Sequence, residues 1–302
     1  MTKAVFTSKI EPSYDDLPEE RYHFPQTYLR QVEAAVGDWI VYYEPRRASS
    51  DLSSRGGRQS YFATARVDRI GRDLEREDHF YAYISDYLEF DRAVPFKDGA
   101  FYYEGALRRN DGATSKGAFG RAVRSISDSE YDLIVKAGFV QTIIETDFRR
   151  SQKLTPNLHI EEEAKEFERP VVEMVVARPF REAAFAVSVK AAYVNTCAMT
   201  GLQIINGGGR AEVQAAHIRP VAAGGSDSVR NGLALSRTIH WMFDRGLVSV
   251  DDDLSILVAA ARLPDAVTRL LREDRKISVP AKPETRPHPI HLRYHRDNIF
   301  KG

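Results

Sequence analysis

The chain has 302 residues, 43% of them hydrophobic and 28% charged, and its 43 Lys and Arg balance 43 Asp and Glu. That length suits two domains with ordinary cores, and a neutral total excludes polyanion binding by bulk charge, so any nucleic-acid surface must be a local cluster. Cys197 is the one cysteine, which excludes a disulfide framework and an all-cysteine zinc site. No apolar run is long enough to span a membrane and the first residues carry no apolar signal core. The expectation is a cytoplasmic protein with no membrane partner.

Residues 36 to 104 read as β-rich. Trp39 to Tyr43 forms one apolar run, Ser60 to Val67 alternates, and His79 to Phe90 alternates again with Tyr81, Tyr83 and Tyr87 on one parity. Polar Gly-containing loops are expected at 49–58 and 110–117. Ser127 to Ala137 is predicted helical, capped by Ser127 with Glu130 three residues on and ended by Gly138. Between 161 and 168 five Glu face a single Lys, which marks residues 151–176 as an acidic connector. Phe180, Ala184, Val187, Ala191 and Val194 recur at helical spacing. A strand over 212–218, a loop at 222–227 and a helical turn from Thr238 to Asp244 follow, with Trp241, Met242 and Phe243 expected in the core. Pro280, Pro283, Pro287 and Pro289 predict an extended tail.

Three polar residues stand at the joints of this last region: His217 at a strand end, Asn231 opening a loop-to-helix segment, and His240 on a helix. Phosphodiester hydrolysis needs a base to deprotonate water, a group to orient that base, and a cation to neutralise charge on the phosphate and the leaving 3′ oxygen. An imidazole suits the first task, an amide the second. A histidine with a carboxylate one helical turn on suits the third, and Asp244 lies four residues after His240, on the same helix face.

The blocks Cys197 to Gly201, Ala216 to Pro220, Asn231 to Leu235 and His240 to Gly246 appear in this order. Together they resemble the HNH (ββα-metal) endonuclease family, in the branch found in modification-dependent restriction enzymes. The resemblance covers about residues 178 to 255. It implies His217, Asn231 and His240 as catalytic residues, with His217 the general base and Asn231 its orienting partner. It implies His240 and Asp244, with His217 itself as an alternative ligand, around one divalent ion, Mg²⁺ or Mn²⁺, per active site. Many relatives carry Asp or His before the first His; Ala216 stands there, so the shell is one side chain short, with Gln214 or water left to fill it. Relatives with paired cysteines bind a structural zinc. Thr200 replaces the second cysteine here, so no structural zinc is expected and Cys197 is read as a small buried residue. From Arg169 to Arg245 nine Lys or Arg stand against five Asp or Glu, a modest footprint for DNA, with Arg219, Arg230 and Arg237 as backbone contacts.

The run Val36 to Tyr43 and the aromatic strands after it resemble the PUA-like superfamily, within it the EVE-type domains. That resemblance implies an α+β chain with three parts: an N-terminal PUA-like β-barrel domain over 1–150, the connector 151–176, and a C-terminal ββα-metal HNH domain over 177–302. It implies reading of modified cytosine in double-stranded DNA by base flipping. Extruding a base costs a few kcal/mol and stacking on an aromatic ring returns about 1–3 kcal/mol. Trp39, Tyr43, Asp86, Tyr42 and Tyr22 are the expected base pocket, with Arg46 and Lys116 on the DNA backbone. One ββα site cuts one strand, so double-strand cleavage implies a homodimer. The alternatives are an HNH nuclease aimed at unmodified or structured DNA, and a DNA-binding protein with a decayed site, for which Ala216 speaks.

Overall fold

In a computed structural model, which describes residues 2–8, 17–45, 58–153 and 171–302, the chain divides into two compact units, Met1–Ala184 and Phe185–Gly302. Arg46, the loop over 46–57 and the acidic run at 161–168 lie outside the described residues.

The first unit holds β1 (Ala4–Thr7), β2 (Arg21–Pro25), α1 (Leu29–Ala34), β3 (Trp39–Glu44), β4 (Ser60–Arg72) and β5 (His79–Pro95). A two-residue ribbon, β6 (Lys97–Asp98) with β7 (Phe101–Tyr102), precedes α2 (Lys116–Phe119), β8 (Val123–Ser125), α3 (Asp128–Gly138), α4 (Val140–Lys153), α5 (Val171–Val176) and the start of α6 (Arg178–Ala192). Six strands form one sheet in the order β2-β5-β4-β3-β1-β8, parallel between β1 and β3 and antiparallel elsewhere. Register shifts interrupt the β4–β5 ladder at three places and the β3–β4 ladder at one. Bulges of this kind bend the strands and curl the sheet. The curl stops short of closure. The edge strands β2 and β8 do not pair with each other among the described residues, so the expected barrel is an open, curled sheet.

Both faces of this sheet are covered. Val5, Trp39, Val41, Tyr43 and Tyr61 meet α3, α5 and the first turns of α6 on one side. Phe6, Ile40, Tyr42, Ala63 and Ala65 pack with Phe24 and Val32 on the other. Every residue of β3 is buried, which is why its sequence is a continuous apolar run instead of an alternation. The helix expected after Ser127 is present. Its capping box is formed by Ser127 Oγ accepting from Glu130 N–H (3.3 Å) and Ser127 N–H donating to the Glu130 carboxylate (2.8 Å). One ion pair is fully internal: Arg124 grips Glu104 with two hydrogen bonds of 2.7 Å, and Tyr61 donates to the same carboxylate at 2.6 Å.

The second unit contains β9 (Gln214–His217), β10 (Gly232–Leu235), α7 (Arg237–Asp244), β11 (Val248–Val250), β12 (Ile256–Val258), α8 (Asp265–Thr268) and α9 (Pro289–Asn298). The antiparallel hairpin β9–β10 followed by α7 is a ββα unit. Its core includes Phe185 and Val189 of α6, Cys197, Met199, Ala216, Leu233, Ile239, Met242, Phe243 and Leu292. The tail differs from its predicted extended form. Pro289 occupies the first turn of α9 and His288 caps it, with Nδ1 accepting from Ile290 N–H at 3.3 Å. Proline is favoured at that position because its missing N–H has no partner there anyway. α9 packs onto the ββα unit. His295 stacks on Phe243 with ring centroids 3.7 Å apart, and its two ring nitrogens meet Ser249 Oγ (2.9 Å) and Phe243 O (3.1 Å).

Candidate active site

β9 ends at His217, whose backbone pairs with Gly232 of β10. A Cβ at position 232 would lie 2.4 Å from Val189 Cγ2, so glycine is what lets α6 press against the hairpin. That approach lays the Phe185 ring flat on the His217 ring, centroids 3.8 Å apart and planes 10° from parallel. Phe185 covers one face of the imidazole, and the side chain keeps 23% of its surface exposed.

The loop between the two strands is organised by Asn231, which is fully buried. Its Nδ2 donates to Arg219 O (2.9 Å) and Ser226 O (2.8 Å), and its Oδ1 accepts from Arg219 N–H (2.8 Å). All its side-chain hydrogen bonds go to loop backbone, none to His217, so Asn231 holds the loop and does not touch the imidazole. Gly225 is required for this cradle: a Cβ there would sit 1.9 Å from Arg219 O and 2.8 Å from Asn231 Nδ2. The residue after Ser226 is Asp227. Its buried carboxylate lies 2.9 Å from His217 Nε2. Sequence reasoning missed this partner, although Asp227 is the one carboxylate between His217 and Asn231.

On α7, Ile239, Met242 and Phe243 are buried, and the helix turns His240 and Asp244 outward. His240 Nδ1 meets Gln214 Oε1 at 2.9 Å, and His240 Nε2 lies 3.4 Å from Asp244 Oδ2. With Nδ1–H donating to the glutamine, Nε2 keeps its lone pair beside the carboxylate. Gln214, expected as one group that could complete the metal shell, is in contact with His240 Nδ1. Among the described residues no group of three His, Cys, Asp or Glu is arranged to hold a metal. The His240–Asp244 pair nonetheless fits a hard, hydrated divalent ion, which binds through one or two protein ligands and completes its shell with water and substrate phosphate.

Residues 197–251 match the family model described as HNH endonuclease. This segment is an HNH endonuclease domain. It contains His217, Asn231, His240, Asp244, Asp227 and Gln214, and α9 lies beyond the matched residues. No curated protein sequence matches the chain. Among solved structures the chain is similar to the modification-dependent TagI restriction endonuclease, at 15% identity and a TM-score of 0.31, covering 97% of this chain and 81% of that one. The N-terminal domain of Staphylothermus marinus McrB follows at 15% and 0.29, covering 44% and 92%. The Type IV phosphorothioation-dependent restriction endonuclease ScoMcrA follows at 12% and 0.18, covering 79% and 46%. Likeness at this level assigns no activity.

The other expected contacts are spread out. In the HNH domain, Arg219 is tied down, with Nε on Ala223 O (2.9 Å) and its guanidinium 4.8 Å from the Tyr294 ring centroid of α9. Arg230 O accepts from His288 N–H. Arg237 begins α7 and is exposed. Trp241, expected in the core, is 58% exposed. In the first unit, Lys116 is exposed at the start of α2. The five expected pocket residues do not share a pocket. Trp39 and Tyr43 face one side of the sheet and Tyr42 the other, all buried. Tyr22 joins Tyr42, ring centroids 6.2 Å apart. Asp86 sits in the left-handed region at φ 52° and pairs with Arg181 at 2.6 Å.

Proposed function

We propose that this chain is a modification-dependent restriction endonuclease that hydrolyses phosphodiester bonds of double-stranded DNA at His217. The arrangement that carries this reading is a partly exposed imidazole held by a buried carboxylate, within an HNH domain whose α7 presents a His–Asp pair. Asp227 accepts from His217 Nε2–H, which leaves the lone pair on Nδ1. Nδ1 then takes a proton from water as the oxygen attacks phosphorus and the bond to the 3′ oxygen breaks. Asn231 keeps the loop, and with it Asp227, in register. His240 and Asp244 would hold a divalent ion, Mg²⁺ or Mn²⁺, which would supply positive charge against the phosphate and the leaving oxygen. The intact pairing of these groups favours a working nuclease over a decayed one, Ala216 notwithstanding.

Residues 1–150 select the target, a modified cytosine (5-methyl or 5-hydroxymethyl) taken out of the helix, residues 151–176 connect, and residues 177–302 cut. What supports this is a sheet rich in aromatic side chains with polar tips, of which Tyr22 and Tyr42 with Phe6 form one contiguous group. A homodimer supplies the second site for double-strand cleavage. The test is cleavage of matched duplexes carrying cytosine, 5-methylcytosine or 5-hydroxymethylcytosine. Cutting confined to a modified duplex is expected. Equal cutting of all three retains the nuclease and removes the base-reading role.

A further inference from the structure

Helix α7 has two faces. Ile239, Met242 and Phe243 point into the core, so at 100° per residue the outward side carries Arg237, Trp241 and Asp244, with Arg245 following at the C-cap, and all four are exposed. Arg245 is the C-cap residue, its N–H on Trp241 O at 3.2 Å. Neither guanidinium makes an ion pair or side-chain hydrogen bond among the described residues. A tryptophan exposed to 58%, flanked along its helix by two cations and not by other apolar side chains, suits a partner that is both anionic and aromatic. The stripe is about 12 Å long, the axial rise of three to four nucleotides of one strand. It adjoins His240 and Asp244 on the same helix.

We propose that this stripe is where the HNH domain holds the DNA strand. Arg237 and Arg245 each take a backbone phosphate, and the Trp241 indole packs on the sugars and base edges between them. Asp244 opposes phosphate on this surface, a repulsion that a divalent ion held by Asp244 would offset. The two arginines pull on the backbone whatever the sequence, and the indole is indifferent to which base it meets, so the surface serves grip and placement, not base identity. This inference rests on the reading of the chain as a DNA nuclease.

The chain has two tryptophans, and the other, Trp39, is 4% exposed, so emission changes on binding report on Trp241. The experiment titrates a labelled duplex against the full-length wild type, Trp241→Phe, Trp241→Ala, Arg237→Ala and Arg245→Ala in EDTA, reading anisotropy and tryptophan emission at several salt concentrations. The wild type should lose indole emission as DNA saturates it. Trp241→Ala should bind more weakly by about fivefold or more through lost apolar burial, with its salt slope and melting temperature unchanged, and Trp241→Phe should retain most of the affinity. Each arginine variant should lower the slope of log K against log salt by roughly one. Wild-type affinity in Trp241→Ala, with no emission change in the wild type, overturns the inference while leaving a cutting enzyme intact. A wild type that neither binds nor cuts DNA overturns the nuclease reading itself, and this inference with it.

Discussion

His217 Nε2 and Asp227 Oδ1 lie 2.9 Å apart across a loop that Asn231 holds shut. The carboxylate is buried and the imidazole is stacked flat on Phe185. The ring is therefore held in one orientation before substrate arrives, which the proton acceptor proposed for hydrolysis needs.

Replacing Asp227 with Asn keeps the shape and removes the charge. Single-turnover cleavage by Asp227→Asn should fall by about 10²-fold or more, with DNA affinity in EDTA unchanged, and Asp227→Glu should recover part of the rate. A wild-type rate in Asp227→Asn would remove the carboxylate from the account.

Gly225→Ala tests the loop independently of any charged group. A methyl at that position overlaps Arg219 O, so the Asn231 cradle must open and carry Asp227 away from His217. Cleavage should drop by at least about tenfold, with the cooperative melt retained. Asn231→Ala should also destabilise the fold by about 1–3 kcal/mol, because it removes three hydrogen bonds from a fully buried side chain to the loop backbone.

In the first unit, Glu104 and Arg124 are almost wholly buried and bound to each other through two hydrogen bonds. Removing one partner strands the other charge. Glu104→Ala should cost about 3–5 kcal/mol in denaturant unfolding. It should cost more than the Glu104→Ala, Arg124→Met double change does, because the double change leaves no buried charge unpaired. Equal losses would place the pair's role elsewhere.

The histidines of α9 set an acid limit. Burial, aided by His288, Arg219 and Arg230, holds His291 down at about 3, and burial holds His295 down at about 4. Both are depressed below the unfolded value of 6.5, so the folded state binds fewer protons. Their contribution is fully present above pH 6.5 and is lost as pH falls from there through 4 to 3. Each histidine removes up to about 1.4 kcal/mol per pH unit inside that window. Chemical unfolding between pH 7 and 4 should show this slope, and His295→Gln should flatten it.

Much of the HNH domain was legible because its chemistry resides in residue identities at short spacing. The four blocks named His217, Asn231, His240 and Asp244 as candidates. Asp227 was not named, since its contact with His217 appears only when the loop folds back. Trp241 was misplaced by residue type, although Ile239, Met242 and Phe243 already fill the inward stripe at i, i+3 and i+4. A period of two likewise separates Trp39 and Tyr43 from Tyr42 on β3, and the continuous apolar run hid it. Four prolines disguised α9, because one of them begins the helix instead of preventing it. The open edge between β2 and β8 depends on long-range pairing that no local pattern encodes.

The central claim is that His217 and the His240–Asp244 pair form one metal-dependent hydrolytic site. Its most direct test is nicking of modified plasmid DNA by the wild type, His217→Ala and His240→Ala, each with Mg²⁺, with Mn²⁺ and with EDTA. The account expects cutting by the wild type in at least one metal, none in EDTA, and losses of about 10²-fold or more in both variants. Undiminished cutting by either variant, or by the wild type in EDTA, would contradict it.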